Sequence, residues 1–155
     1  MRLTLAVVGA PRNRSLATAI DDYETRAGRY WPLDVHEVKE EPARRGTSPA
    51  VVRRREGERL RARVPSGARL VACAVDGEQL SSEAFADWLE GERDAGRSLT
   101  FAIGGAYGLD EEVLAASASR LSLAAWTLPH ELARLVLAEQ LYRAGTILRR
   151  EPYHK

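Results

Sequence analysis

Three glycines, Gly104, Gly105 and Gly108, stand where an apolar run ends and a helix-like stretch begins, in Ile103-Gly104-Gly105-Ala106-Tyr107-Gly108-Leu109. Without Cβ atoms, backbone amides there can approach a ligand closely, and the same freedom serves a plain tight connection. The pattern is G-G-x-x-G, not the G-x-G-x-x-G of dinucleotide sites, and no Gly-Lys-Ser/Thr follows to make a phosphate loop. A second segment, Leu121–Pro129, is built of Ser, Leu, Ala, Trp, Thr and Pro and is followed by no acidic or basic residue before Glu131, His130 apart. We expect such a loop to be buried, its backbone polar groups met by protein or by a ligand edge such as adenine. Trp126 is then packed, as a core anchor or against that ligand.

Farther along, Leu132, Leu135, Val136, Glu139, Tyr142 and Arg143 recur at helical spacing on one broad face. Glu139 and Arg143 are an i, i+4 pair in the favourable orientation, so they support the helix locally or mark a face that meets a substrate or second subunit. The chain ends in Arg149-Arg150-Glu151-Pro152-Tyr153-His154-Lys155, whose Pro-Tyr-His element is more structured in character than a basic tail. The three histidines, His36, His130 and His154, lack metal-ligand spacing, so no metal is expected. The one cysteine, Cys73, lies in the apolar run LVACAV and reads as a small core residue with no disulfide partner.

The elements that must position these residues follow an α/β rhythm. Strands are predicted at Leu3–Val8, Leu33–Val38, Leu70–Val75, Leu99–Ile103 and Leu121–Leu123, and helices at Ser15–Arg29, Pro49–Val64, Ser81–Ala95, Asp110–Ala118 and His130–Arg149. Ser15, Ser81 with Ser82, and Asp110 mark helix starts. Near-continuous apolar strands between helices imply a mostly parallel sheet covered on both faces, with ligands at the carboxyl ends of the strands. At 155 residues and 45% hydrophobic content, one domain spanning 1–155 is expected. The amino-terminal apolar run is too short for a signal peptide or membrane span, so the protein reads as cytoplasmic. Net charge of +1 excludes binding of nucleic acid by bulk charge. The arginines clustered between Arg44 and Arg63 suit phosphates, or form a solvated face with Glu56 and Glu58.

Taken together, IGGAYGL, SLAAWTLPH, ELARLVLAEQLYRAG and the terminal PYHK, with MRLTLAVVG, the YETR of Tyr23–Arg26 and the REGERL of Arg55–Leu60 farther back, resemble the ribosomal RNA large subunit methyltransferase H family of the SPOUT class along essentially the whole chain. The resemblance implies an α/β fold whose carboxyl-terminal segment is threaded into a trefoil knot. It implies S-adenosyl-L-methionine as cofactor, held mostly by backbone at Cys73, Gly104, Gly105, Leu123, Ala124, Ala125, Trp126, Thr127 and Leu128. It implies a homodimer whose cofactor pocket is completed by the other subunit. The implied reaction is methyl transfer to N3 of a pseudouridine in 23S ribosomal RNA, in the context of the ribosome. His130, Tyr153 and His154 are then candidates for taking the N3 proton or orienting the base, and Arg143 for stabilising the imide anion.

Ala74 and Gly145 depart from the family pattern, the first at a cofactor contact, the second in the last helix, where glycine costs about 1 kcal/mol relative to alanine and is expected to loosen the dimer face. Two other readings stand beside this one: the same enzyme acting on a transfer RNA nucleotide, and a ribosome-binding assembly factor that transfers nothing.

Overall fold

The computed structural model describes residues 1–154, except that the side chain of His154 is not described. Lys155 and that side chain, and with them the expected role of His154, lie outside the described residues.

Five strands, β1 (Leu3–Val8), β2 (Leu33–Val38), β3 (Arg69–Glu78), β4 (Leu99–Ile103) and β5 (Ser119–Leu121), form one sheet in the order β2-β1-β4-β3-β5. Every pairing is parallel. Five helices separate or follow them: α1 (Arg14–Ala27), α2 (Pro49–Arg61), α3 (Ser82–Asp94), α4 (Glu111–Ala116) and α5 (His130–Leu148), with a 3-10 turn at Pro152–His154. No described helix is long and apolar enough to cross a membrane.

Alternation along the strands sorts the core into two layers. Leu3, Leu5 and Val7 of β1, Val71 of β3 and Phe101 of β4 pack with Ala27 of α1, Phe85 and Leu89 of α3, and Leu137 and Leu141 of α5. Ala6 and Val8 point the other way, against Leu60 of α2, and Leu70 and Ala102 meet Val113 of α4. Each large apolar side chain so buried contributes roughly 1.5–3 kcal/mol. Trp31 Nε1 donates to the Leu141 carbonyl at 2.8 Å, which ties the start of β2 to the middle of α5.

Caps set the helix starts: the side chains of Asn13, Ser48, Ser81 and Asp110 each accept a backbone N–H of the first turn. The first helix therefore begins from Asn13 and not from Ser15. Strand β3 runs past the expected Val75 to Glu78, because an irregularity between Cys73 and Glu78 lets both pair with Leu121. That crossing requires Gly77: a Cβ there would sit 2.6 Å from the Leu121 carbonyl carbon. Strand β5 ends at Leu121 instead of beginning there, which releases 122–129 as a loop at the carboxyl edge.

Gly145 is buried inside the chain and not on an outer face. A Cβ there would overlap Cγ of Tyr30, so the aromatic ring fills the space that a bulkier residue would take. The expected loosening of an outer face does not apply, because the glycine is matched to Tyr30.

Candidate active site

The sheet order places two openings side by side along its carboxyl edge. Over β3 and β5 is a small cleft of about 70 Å³ lined by Cys73, Ala74, Leu123, Ala124, Trp126 and Leu128. Over β1 and β2 is an open cavity of about 950 Å³. Between them stands β4 and the glycine turn that follows it.

Of the expected cofactor residues, Cys73, Leu123, Ala124, Trp126 and Leu128 share the small cleft, with Val75 and Ala133 beside them. Desolvation pushes the Cys73 thiol up to about 12, so it stays neutral, as suits a contact with a neutral ring. Gly104 and Gly105 do not line this cleft. They close a tight turn in which Gly105 bridges Gly108 and the Gly108 N–H donates to the Gly105 carbonyl at 3.0 Å. Gly108 has φ +79°, and a Cβ on Gly104 would lie 2.5 Å from the Gly108 carbonyl carbon, so both positions demand glycine.

The expectation that 121–129 is buried is corrected. Leu121 and Ser122 are buried, but Ala125, Trp126 and Thr127 are exposed, and Trp126 is 83% exposed. Trp126 is therefore no core anchor. The loop leaves the sheet after β5 with only Ser122 tied back, its N–H to the Glu78 carbonyl at 2.9 Å and its hydroxyl to the Ala124 carbonyl at 2.8 Å. Among the described residues, the backbone N–H groups of 123–128 make no hydrogen bond, which leaves a row of donors for solvent or a ligand.

Residue His130 opens α5 directly after Pro129, which offers no side-chain cap. Glu131 does the positioning instead: its Oε1 accepts the Arg12 N–H at 3.0 Å and so holds the start of α5 against the turn after β1. That backbone hydrogen bond keeps the Glu131 carboxyl below the usual range. His130 borders the large cavity, and its Nε2 is buried without a partner.

The remaining catalytic candidates gather at the other end of α5. Glu139 Oε1 accepts from Arg143 Nη2 at 2.6 Å and from Tyr153 Oη at 3.1 Å. Tyr23 Oη lies 3.3 Å from Tyr153 Oη, and the Arg143 guanidinium sits 4.8 Å from the centre of the Tyr153 ring. Tyr142 packs edge-on against Tyr153 at 4.6 Å between ring centres. Burial pushes the Tyr153 phenol well above its ordinary value, helped by Tyr23 and the Glu139 charge, so Tyr153 keeps its proton. The Glu139 hydrogen bond likewise holds the Arg143 guanidinium above its ordinary value. The Pro-Tyr-His element is thus docked on α5 and not a loose end.

One chain does not unite the expected catalytic residues. The helix rises about 20 Å between His130 and Arg143, and about 15 Å between Ala133 in the cofactor cleft and Arg143. Two participants escaped the sequence reading of the site. Tyr23 appeared there only within a motif, and Glu139 only as half of a helix pair. Glu56 is a third: it is 3% exposed, on α2 beside the glycine turn. Its signal was present, since Val52, Glu56 and Leu60 recur every four residues and place a carboxylate on the buried stripe.

The arginine cluster divides. Arg55 and Arg59 both pair with Glu41, and Arg61 pairs with Glu112, so this part is a solvated, ion-paired face.

A family model described as "Predicted SPOUT methyltransferase" matches residues 1–154. Three proteins each called "Ribosomal RNA large subunit methyltransferase H" are similar over the full length of both chains. The one from Gemmatimonas aurantiaca is 59% identical over 155 residues. Those from Anaeromyxobacter dehalogenans and Listeria monocytogenes serotype 4a are 43% and 42% identical.

Proposed function

Because this chain belongs to the SPOUT methyltransferase family, whose fold carries the carboxyl-terminal knot, we propose that it methylates large-subunit ribosomal RNA, at N3 of a pseudouridine, with S-adenosyl-L-methionine as donor. The observation that carries this reading is full-length similarity to methyltransferases of that name, joined to a carboxyl-edge cleft of neutral side chains and unengaged backbone donors.

The residues fit such a cofactor in kind. The N–H groups of 123–128 can satisfy an adenine edge, Trp126 and Leu128 can cover its faces, and Cys73 adds no charge. A cleft of about 70 Å³ falls short of the several hundred Å³ typical of such ligands, so the cofactor would extend beyond it along the exposed loop 125–127. When bound, the cofactor supplies an electrophilic methyl group on a sulfonium.

The chain's own residues handle the acceptor. N3 begins as a weakly acidic imide, so its proton must leave and the resulting charge must be stabilised. Arg143, fixed by Glu139, offers a guanidinium to that charge, and Tyr153, a neutral phenol whose one proton is given to Glu139, orients the base by presenting its phenol oxygen as an acceptor. Since these groups lie about 15 Å along α5 from the cleft of their own chain, they serve the cleft of a second copy. A homodimer is supported by Trp126 and Val75, which are exposed beside the cleft, and by the half-buried outer face of α5.

The test is transfer of labelled methyl from S-adenosyl-L-methionine to large subunits, whole ribosomes or free transfer RNA, each lacking native modification. Label confined to the ribosomal samples supports the proposal. Label on free transfer RNA, or none, overturns it.

A further inference from the structure

The cavity of about 950 Å³ over β1 and β2 has no part in the cofactor contacts described above, yet it carries marks of a ligand site. Its wall includes Glu56, 3% exposed, whose Oε1 accepts the Glu41 N–H at 3.0 Å while Oε2 is buried with no partner. A second buried atom without a partner, His130 Nε2, borders the same space. Unsatisfied buried polar atoms are costly, and two around one cavity indicate groups kept for something that enters it. At the mouth, Tyr107 is 44% exposed, an aromatic face on the glycine turn with room beside it.

We propose that this cavity admits the planar ring of the target base, a uracil-type ring that stacks on Tyr107 and turns its polar edge toward Glu56 Oε2 and His130 Nε2. The proposal rests on the methyltransferase reading and adds to it where the acceptor sits.

Topology supports the placement. The cofactor cleft lies over β3 and β5 and the cavity over β1 and β2, so donor and acceptor would meet across β4, the strand between them. The turn after β4 stands against Glu56: its Oε2 lies 2.7 Å from the place a Cβ on Gly105 would occupy, so only glycine leaves room for the carboxyl there. One segment reaches both sides, with Leu123–Leu128 at the cleft and His130 at the cavity. A uracil-type ring offers two carbonyl oxygens flanking one imide N–H along one edge, which suits a carboxyl and an imidazole. Burial, with Glu40 and Glu41 nearby, pushes the Glu56 carboxyl up, against the Glu41 N–H and Arg59, which pull it down. Arg12, Glu37, Lys39, Tyr107 and His130 are the other ionisable residues lining the cavity. A protonated Glu56 can donate to a ring carbonyl as negative charge builds there, a bond that glutamine can also make and methionine cannot.

The experiment compares Glu56→Gln, Glu56→Met and Tyr107→Ala with wild type in thermal unfolding, S-adenosyl-L-methionine affinity and methyl transfer to ribosomes lacking native modification. All three variants should keep the wild-type fold and cofactor affinity. Glu56→Gln should retain transfer within about threefold, Glu56→Met should lose about tenfold or more in kcat, and Tyr107→Ala should raise KM for ribosomes about tenfold. Wild-type kinetics in both Glu56→Met and Tyr107→Ala would overturn the cavity as the acceptor site while leaving the methyltransferase reading intact. Wild-type protein that transfers no methyl group would overturn that reading, and this proposal with it.

Discussion

Glu139 Oε1 accepts hydrogen bonds from Arg143 Nη2 at 2.6 Å and Tyr153 Oη at 3.1 Å, so one carboxylate oxygen holds the last turns of α5 and the carboxyl-terminal turn in a single geometry. Replacing it tests whether that geometry serves transfer or only the helix. Glu139→Gln should lower methyl transfer about a hundredfold with cofactor affinity unchanged. The partly exposed pair limits the stability loss to about 1 kcal/mol. Calorimetric cofactor titration beside turnover measures both, and wild-type turnover would reduce the cluster to helix support.

Arg143→Ala should likewise abolish transfer and retain cofactor binding, since Arg143 lies about 15 Å along α5 from its own cleft. If catalysis occurs across a homodimer, mixing it with a variant defective only in the 123–128 loop should restore activity to the mixture. Two inactive proteins that stay inactive when mixed would place all the groups in one chain.

Tyr30 and Gly145 form a matched pair, with the ring seated where a Cβ would otherwise be. Helix propensity alone says that Gly145→Ala stabilises by about 1 kcal/mol. The overlap with Tyr30 reverses the sign, and we expect a loss of about 1–3 kcal/mol. Combining it with Tyr30→Ser should recover part of that loss in a double-mutant cycle by denaturant unfolding.

Trp126, 83% exposed, supports nothing in the isolated fold. Trp126→Ala should change the unfolding free energy of the single chain by less than about 0.5 kcal/mol. It should nonetheless weaken cofactor binding, and cofactor should slow hydrogen exchange at the amides of 123–128. An unchanged affinity would remove Trp126 from the site.

The Cys73 thiol, pushed up to about 12 by desolvation, should alkylate far more slowly at pH 8 than a free thiol. The sign for stability follows from its raised value. Below the free-thiol range both folded and unfolded chains hold the proton. As pH rises from there toward about 12, only the unfolded chain releases it, so stability falls across that window. Cys73→Ala should remove that part of the alkaline loss in unfolding curves taken from pH 8 to pH 11.

Apolar runs located β1 and β4 to the residue, because each is buried by its own composition, and the alternation of Leu33, Val35 and Glu37 with Asp34, His36 and Val38 bounded the half-buried β2. The end of β3 and the start of β5 were not legible, since they depend on a chain crossing at Gly77 that no local pattern announces. Five cofactor candidates fell in one cleft because the pairing of Cys73 with Leu121 brings β3 beside the loop that follows β5. The glycines of 104 and 105 fell outside it, as the same residue type serves a tight turn. His130 and Arg143 were expected to share one function, but the rise of α5 holds them about 20 Å apart within a chain. Glu56 was hidden among arginines, although its place between Val52 and Leu60 marked it as inward-facing.

Mass mapping of the nucleotide that takes label from S-adenosyl-L-methionine on ribosomes lacking native modification tests the central claim most directly. We predict a single added methyl group on N3 of a pseudouridine in the large-subunit RNA. Label on another nucleotide, on transfer RNA, or nowhere despite bound cofactor would contradict it.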